Sequence, residues 1–370
     1  MALFGLFNSK PTGFLGIDIG SSGLKVVELM GDHGRPRLNT YGYSEWPSGQ
    51  LAASPFDDTK ATGELLAKIC KQAGAKAHAA MAALPASSLF STIISIPCAP
   101  GANARDLKPL IDAQAAKLAP LPLVEMVTYS TFIDDLKKPV AKSQMPATKP
   151  TSKQTYVRVL VTGTAKTLVQ KYVEIFRVAK LELKALDSDA FALIRALIGK
   201  DRSTIALVDI GARRTDIVIV ENGVPFVTRS INLGGSAITK RIMEQMNVSE
   251  AEAEQLKLDM AQSEAPSNGA PMPAAFEAMV QPVVHEIKFA FQLFANMELT
   301  DSKQVEKVIV TGGSSHIPHL PEYLSQALNL NVYRGDPWAR VAYPAELRPV
   351  LDDVGPRMSV AIGLAMRDIS

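Results

Sequence analysis

The chain is poor in the groups that mark several function classes. Its 370 residues include two cysteines, Cys70 and Cys98, with neither metal-ligand spacing nor a histidine beside them. Both are read as reduced core thiols of a cytosolic protein, which sets aside a disulfide framework and a thiolate metal site. Aromatic residues make up 6% and the formal net charge is +2, so no basic surface interleaved with stacking rings points to a nucleic acid. No apolar run approaches the length of a membrane span. The apolar start Met1–Phe7 is too short for a signal peptide, and no long apolar region or cleavage site follows it. A packed or frayed terminus and a weak membrane or partner contact both remain open there. What the chain does have is 47% hydrophobic against 21% charged residues, an ordinary globular balance. Its length suits two lobes with a modest insertion better than a single core.

One stretch organises the rest. In Phe14-Leu15-Gly16-Ile17-Asp18-Ile19-Gly20-Ser21-Ser22-Gly23-Leu24-Lys25 an apolar run ends on an aspartate, passes through a Gly/Ser turn, and resumes as Lys25-Val26-Val27-Glu28-Leu29. That is the pattern of strand, tight turn and strand. Gly20 and Gly23 allow close approach of backbone to a ligand. Ser21 and Ser22 offer hydroxyl and N–H donors, Lys25 a cation, and Asp18 a carboxylate able to hold the water shell of Mg²⁺. Alone, the stretch is equally well explained as an ordinary turn. A second copy raises its weight: Ile205–Val220 repeats the apolar strand, Asp209-Ile210-Gly211, a short turn, a polar residue and an apolar strand. Such a repeat predicts two similar halves, and two such loops suit a nucleotide in the cleft between them. A third element, Val305–Gly313, reads as a buried strand ending in Gly312-Gly313, where an adenine or ribose can lie directly on the backbone.

Between these motifs, apolar spacing predicts a strand near Leu38–Glu45, a helix over Ala61–Ala73 stopped at Gly74, and a buried strand over Ala79–Leu84 closed by Pro85. A small α/β module follows, with strand Ser88–Ile96, helix Asp106–Leu118, strands Glu125–Ile133 and Tyr156–Val161, and helix Lys166–Val178. A Lys- and Pro-containing surface loop over 136–153 interrupts it. Further helices are expected over Leu186–Leu197 (opened by Asp or Ser caps), after the turn in Leu233–Ile242, and over Ser249–Met260, Val283–Leu299 and Ser359–Arg367. A second loop covers Ser263–Pro273. His316 and His319 lie three apart across Pro318, but no third ligand is evident for a metal.

With two hairpins, the glycine pair and two small-residue helices in this order, the chain resembles the actin-like ATPases. Within them it is most similar to the PilM-type proteins of type IV pilus assembly, relatives of the cell-division protein FtsA. Pro120-Leu121-Pro122-Leu123-Val124-Glu125-Met126 resembles a proline-bounded signature of that family. The resemblance covers nearly the whole chain. It implies an α/β actin-like fold, the duplicated ribonuclease H-like arrangement, with two lobes around a nucleotide cleft and an FtsA-type inserted subdomain. The first-lobe core would span 1–84 with hinge helices in 185–200 and 355–370, and the insert 85–184. The second lobe would span 201–354, with residues 236–300 approaching the nucleoside. ATP and Mg²⁺ are the implied cofactors. By the resemblance, Asp18 and Asp209 organise the metal largely through water, Gly20, Ser21, Ser22, Gly23 and Lys25 cradle the β/γ-phosphates, and Gly211 and Thr215 line the other side. Gly235, Lys240, Glu254, Lys257, Gly312 and Gly313 would surround the nucleoside.

Asp187, at the first hinge helix, is the candidate for orienting an attacking water. Ala212 stands where actin itself has an acidic residue, so nucleotide-dependent conformational control with slow or negligible hydrolysis is expected. PilM-like proteins bind a short cytoplasmic N-terminal peptide of the inner-membrane protein PilN, in a groove between the first lobe and the insert. The resemblance therefore implies a PilN-like partner, contacts with pilus motor or platform components, a homo-oligomeric ring as an option, and no nucleic acid. It places the protein in the cytoplasm, at the inner membrane through its partners. Leu84, Phe90, Ile93 and Ile96 are apolar candidates for that groove and equally for the core. FtsA's C-terminal amphipathic membrane helix has no counterpart before Ser370, so direct anchoring is not expected. An FtsA-like polymerising scaffold and a sugar kinase or chaperone of the same fold stay open as other classes; a related secretion machine would differ only in its partner.

Overall fold

Nearly continuous burial along the two Asp-Ile-Gly repeats marks them as central strands of two sheets of one topology. The computed structural model of the protein describes residues 13–32, 34–46, 54–137, 140–141, 155–262, 274–367 and 369. The apolar start Met1–Phe7, most of the loop over 136–153 and the loop Ser263–Pro273 lie outside the described residues. Strands β1 (Phe14–Ile19), β2 (Gly23–Asp32) and β3 (Arg35–Glu45) form an antiparallel meander. Helix α1 (Thr59–Gln72) crosses over, and β4 (Ala79–Leu84) returns parallel to β1. The insert comprises β5 (Phe90–Pro97), α2 (Ala104–Leu118), β6 (Met126–Phe132), β7 (Val140–Ala141) and β8 (Thr155–Ala165). Helix α3 (Lys166–Val178) then leads to β9 (Glu182–Ser188), which completes a first sheet of order β3-β2-β1-β4-β9. A short α4 (Asp189–Leu193) runs into a π turn over Ile194–Ile198.

The second half repeats the plan. Strands β10 (Ile205–Ile210), β11 (Thr215–Glu221) and β12 (Val224–Ile231) form the meander, followed by α5 (Gly235–Met246), α6 (Glu250–Gln262) and α7 (Ala274–Ala295). Then β13 (Lys307–Thr311), α8 (Leu320–Leu328) and β14 (Asn331–Arg334) give the order β12-β11-β10-β13-β14, and α9 (Arg348–Ala365) follows. Matching β1 with β10, β2 with β11, β3 with β12, β4 with β13 and β9 with β14 makes the two orders identical. The duplication read from two short hairpins thus extends over whole sheets. The chain forms two units, residues 1–83 with 174–199 and 335–370, and residues 84–173 with 200–334. The insert belongs to the same unit as the second sheet.

Each unit has its own core. In the first, Val27, Leu29 and Leu38 of the sheet pack against Trp338 and against Leu351, Met358 and Ile362 of α9. Gly16 and Gly363 permit this closeness, because a Cβ would strike the carbonyl oxygens of Ala361 and Ala192 respectively. In the second, Val208, Ile217 and Val310 pack under Phe276, Ile287 and Phe294 of α7. The insert closes over Ile96, Ile111 and Val159. Of the apolar groove candidates, Leu84 and Ile96 are buried, and Phe90 and Ile93 are half-buried. Cys70 is buried and Cys98 partly so; burial, helped by the Glu28 charge, pushes the Cys70 thiol up to about 11. No helix among the described residues is long and apolar enough to cross a membrane.

The departures from the sequence reading occur at punctuation residues. Leu186–Leu197 is not one helix: the strand β9 runs through Ser188, whose hydroxyl then accepts from Phe191 N at 3.1 Å and starts α4 at Asp189. Alternation over Leu181-Glu182-Leu183-Lys184-Ala185-Leu186 was the signal for that strand. Helix α9 begins at Arg348, well before the expected Ser359. Pro349 suits a first turn, whereas Gly355-Pro356 reads as a stop; in the fold Gly355 lies under the Trp338 ring, where a Cβ would approach Nε1 to 2.9 Å. Helix α7 likewise starts at Ala274 and carries Pro282 inside. The end of α3 packs on α1, where a Cβ at Gly63 would meet Val178 Cβ at 2.6 Å.

Candidate functional site

In the first hairpin the register sets Asp18 opposite Lys25. The ammonium donates to Asp18 Oδ2 at 2.9 Å, with the two side chains only 19% and 13% exposed. Gly20 N donates to Gly23 O at 3.0 Å and Gly23 N to Gly20 O at 3.3 Å, closing the turn around Ser21 and Ser22. A Cβ at Gly20 would lie 2.5 Å from Lys25 Nζ, so the missing side chain is what lets the ammonium sit over the turn. A Cβ at Gly23 would strike the Ser44 carbonyl of β3. Sequence reasoning missed Trp46. Its Nε1 donates to Gly20 O at 3.1 Å and its N to Ser22 O at 2.9 Å, bracing the turn from the side. The available signal was a tryptophan, one of two in the chain, directly after a strand that pairs with the hairpin.

The second unit brings together most of its predicted residues. Gly211 N donates to Arg214 O at 3.0 Å and closes the second hairpin. The carbonyls of Gly211 and Ala212 accept from Gly235 N at 3.0 Å and Ser236 N at 2.7 Å, so the hairpin caps α5 in place of a side chain. Ser314, just past the glycine pair, donates its hydroxyl to the same Gly211 carbonyl at 3.2 Å. Gly312 has φ +87° and no room for a side chain, since a Cβ would strike Asp209 Oδ1 and lie 2.5 Å from Ile210 O. Only glycine meets both conditions. Asp209 is half-buried at that point. From the helices, Lys257 donates to Glu254 Oε2 at 2.7 Å and to the Thr239 hydroxyl at 3.0 Å, and Thr239 donates to Glu254 at 2.6 Å. A Cβ at Gly235 would lie 3.6 Å from Lys257 Nζ. Gly211, Gly235 and Gly312 thus pack, without side chains, beside a polar cluster of Thr239, Glu254, Lys257 and Ser314.

Of three further predicted residues, one is exposed and two are engaged elsewhere. Lys240 lies on the exposed side of α5 and faces Glu244 at 3.9 Å. Thr215 is fully buried, and its hydroxyl donates to Leu233 O at 2.7 Å. Asp187 accepts from Ser188 N at 2.8 Å through Oδ1 and from Arg195 at 2.6 Å through Oδ2, while Arg195 also donates to Gly363 O at 2.8 Å. Asp187 thus anchors an ion pair that ties the π turn after α4 to α9. Ala212 leaves the second turn without a side-chain acid of its own, and Asp216 beyond it accepts from Arg214 Nε at 2.8 Å. Around His316 and His319, no group of three metal-ligating side chains occurs among the described residues. A cavity of about 250 Å³ in the second unit is lined by Ile133, Arg158, Glu221, Phe226 and Asp301, none of them a predicted nucleotide residue.

With this geometry in hand, the comparisons are informative. The family model described as type IV pilus assembly protein PilM matches residues 16–369. The cell division protein FtsA of Bacillus subtilis (strain 168) is 27% identical over 258 residues, which cover 66% of this chain and 57% of that protein. The match therefore spans little more than half the length of that relative. Among solved structures, the one titled PilM-PilN type IV pilus biogenesis complex is similar with a TM-score of 0.77 at 23% identity, over 96% of this chain and 98% of that chain. The ethanolamine utilization protein EutJ from Carboxydothermus hydrogenoformans follows with a TM-score of 0.53 at 15% identity, over 97% and 91% of the two chains. These likenesses establish the actin-like fold.

Proposed function

Since the chain belongs to the type IV pilus assembly protein PilM family, we propose that it is an actin-like, ATP-binding scaffold of the pilus inner-membrane assembly complex. In this reading it binds the cytoplasmic N-terminal peptide of a PilN-like membrane protein and couples the pilus motor to it. The observation that carries the reading is the pair of five-stranded sheets of identical order, each presenting an Asp-Ile-Gly hairpin from its middle strand. The family match over 16–369 supplies the pilus context.

ATP is the ligand these hairpins suit. The Gly211, Gly235 and Gly312 floor with Gly313, Lys257 and Glu254 receives the nucleoside. Ser21, Ser22, Gly23 and Lys25 supply donors for the β/γ-phosphates, and Gly211 lines the second side. Asp18 and Asp209 would each offer a carboxylate to hydrated Mg²⁺, which as a hard cation prefers such oxygen donors. Lys25 lies 2.9 Å from Asp18; it would supply the cation for phosphate, and Asp18 the carboxylate for the hydrated metal. Turnover is slow or negligible. Asp187 has both oxygens occupied, and no acid stands at Ala212 to orient water. The protein stays at the membrane through its PilN-like partner, and an extended peptide in a preformed groove is a familiar recognition mode.

The test is a titration of the purified protein, with and without Mg·ATP, against a synthetic peptide from the N-terminus of its host's PilN-like protein. Saturable binding in the micromolar range or tighter is the expected result. No binding in either nucleotide state would overturn the pilus-scaffold reading.

A further inference from the structure

An outer strand of a sheet presents unpaired backbone groups, and proteins blunt such edges with charge, proline, shortness or cover. Among the described residues the three sheets have seven outer strands; the two-residue β7 is too short to pair further, and five of the other six are blunted. β3 carries Arg35, Pro36, Arg37 and Glu45, and β9 carries Glu182, Lys184 and Asp187. β12 has Pro225 and Arg229, and β14 is four residues long with Arg334 at its end. β5 is uncharged, but it runs up against β12 within the second unit. The sixth is β6. It is seven residues long, Met126-Val127-Thr128-Tyr129-Ser130-Thr131-Phe132, with neither charge nor proline. Among the described residues it pairs only with β8, and β7 pairs with β8 further along without covering it. Its outward side chains are open: Tyr129 is 73% exposed and Val127 48%. Leu121 and Val124, just before it, are exposed as well.

We propose that β6 is a self-association edge, on which β6 of a second copy of this chain pairs antiparallel about a two-fold axis at Tyr129. The two insert sheets then become one continuous sheet. The occupant follows from the sequence of the strand. In this register Tyr129 faces Tyr129 of the second copy, Val127 faces Thr131, Thr128 faces Ser130 and Met126 faces Phe132, all favourable cross-strand pairs. Glu125 falls opposite Ile133, and Asp134 opposite Val124, so the acids flanking the strand never meet their own kind. The strand is therefore complementary to itself, and a two-fold contact of identical patches closes on a dimer. Along the strand there is no charged side chain with which to select a peptide of different chemistry. This inference is independent of the nucleotide reading.

The test uses the full chain in a Cys98→Ser background under mild oxidation. Tyr129→Cys is expected to form a covalent dimer, because directly facing residues of an antiparallel pair stand about 4.5–5.5 Å apart at Cα, within disulfide reach. Val127→Cys and Thr131→Cys are each expected to stay monomeric alone and to cross-link when mixed. Tyr129→Lys is expected to weaken the dimer at least tenfold in sedimentation equilibrium, with an unchanged melting temperature because the side chain is exposed. Equal cross-linking by all three cysteine variants, or a wild-type chain that stays monomeric at high concentration, would overturn the proposal. So would amide protection of β6 that appears only when the PilN-like peptide is added, which would assign the edge to that peptide.

Discussion

The two hairpins share strands and turn but not charge, and the difference is instructive. In the first, the residue facing the strand-end aspartate is Lys25; at the matching place in the second it is Asp216, opposite Asp209. The first hairpin therefore holds its own cation over the turn. The second sets two acids across from each other, and Arg214 neutralises the buried one while also donating to Ser87 of the insert at 2.9 Å. The first turn is braced by Trp46 from its own sheet, whereas the second spends its carbonyls on α5. Strand pairing preserved the backbone of the repeat in both halves. The side chains differ: one hairpin holds a cation over its own turn and the other fastens neighbouring elements.

That division of labour can be broken from either side. The largest effect is expected for Gly312→Ala, which combines a positive φ with a collision against Asp209 and Ile210. A loss of about 3 kcal/mol in denaturant unfolding, together with loss of nucleotide binding, would show that the second floor is shaped by backbone. A full-affinity, fully stable variant would contradict it. A sharper contrast comes from Arg214→Ala and Lys25→Ala. Arg214 neutralises Asp216, which is 8% exposed; its removal should cost about 2 kcal/mol of stability, less than a fully buried pair because the guanidinium is partly solvated. Lys25→Ala should leave stability nearly unchanged and weaken ATP binding about tenfold or more, the scale of one charged hydrogen bond. If calorimetry gave the two variants the same profile, the hairpins would not differ in role. The smallest effect belongs to Trp46→Phe, which deletes one donor to Gly20. About 1 kcal/mol of stability and faster hydrogen exchange confined to residues 20–23 are expected.

Much of this was legible in the order of residues, and the reasons are local. Asp-Ile-Gly between apolar runs carries its own turn chemistry, so both hairpins could be placed to the residue. The glycine pair after Val305–Thr311, a common turn by itself, could be placed because it comes third after the two hairpins. Helices with clear apolar periodicity, such as α1 and α3, fell within a few residues of their places. Reading failed where a residue's local meaning was overruled from a distance. Pro356 and Gly355 look like a stop, yet the Trp338 ring and the sheet bury α9 around them. Leu181–Leu186 alternates like a strand, but the Asp and Ser after it drew attention to a helix cap.

The candidate site divides in the same way. The candidates for the chemistry were legible in the sequence: Asp18, Lys25, Asp209 and the glycines stand out because the same strand-turn pattern occurs twice and is followed by a glycine pair. Which of them are available was decided only by the tertiary structure. Thr215 and Asp187 have suitable side chains, but Leu233 and Arg195 engage them. Trp46 and Ser314 join the turns through contacts far apart in the chain. Local sequence specifies backbone conformation, because φ, ψ and turn closure depend on a few adjacent residues. Hydrogen-bond partners are chosen by whatever the completed fold brings within about 3 Å, and no stretch of sequence contains that choice.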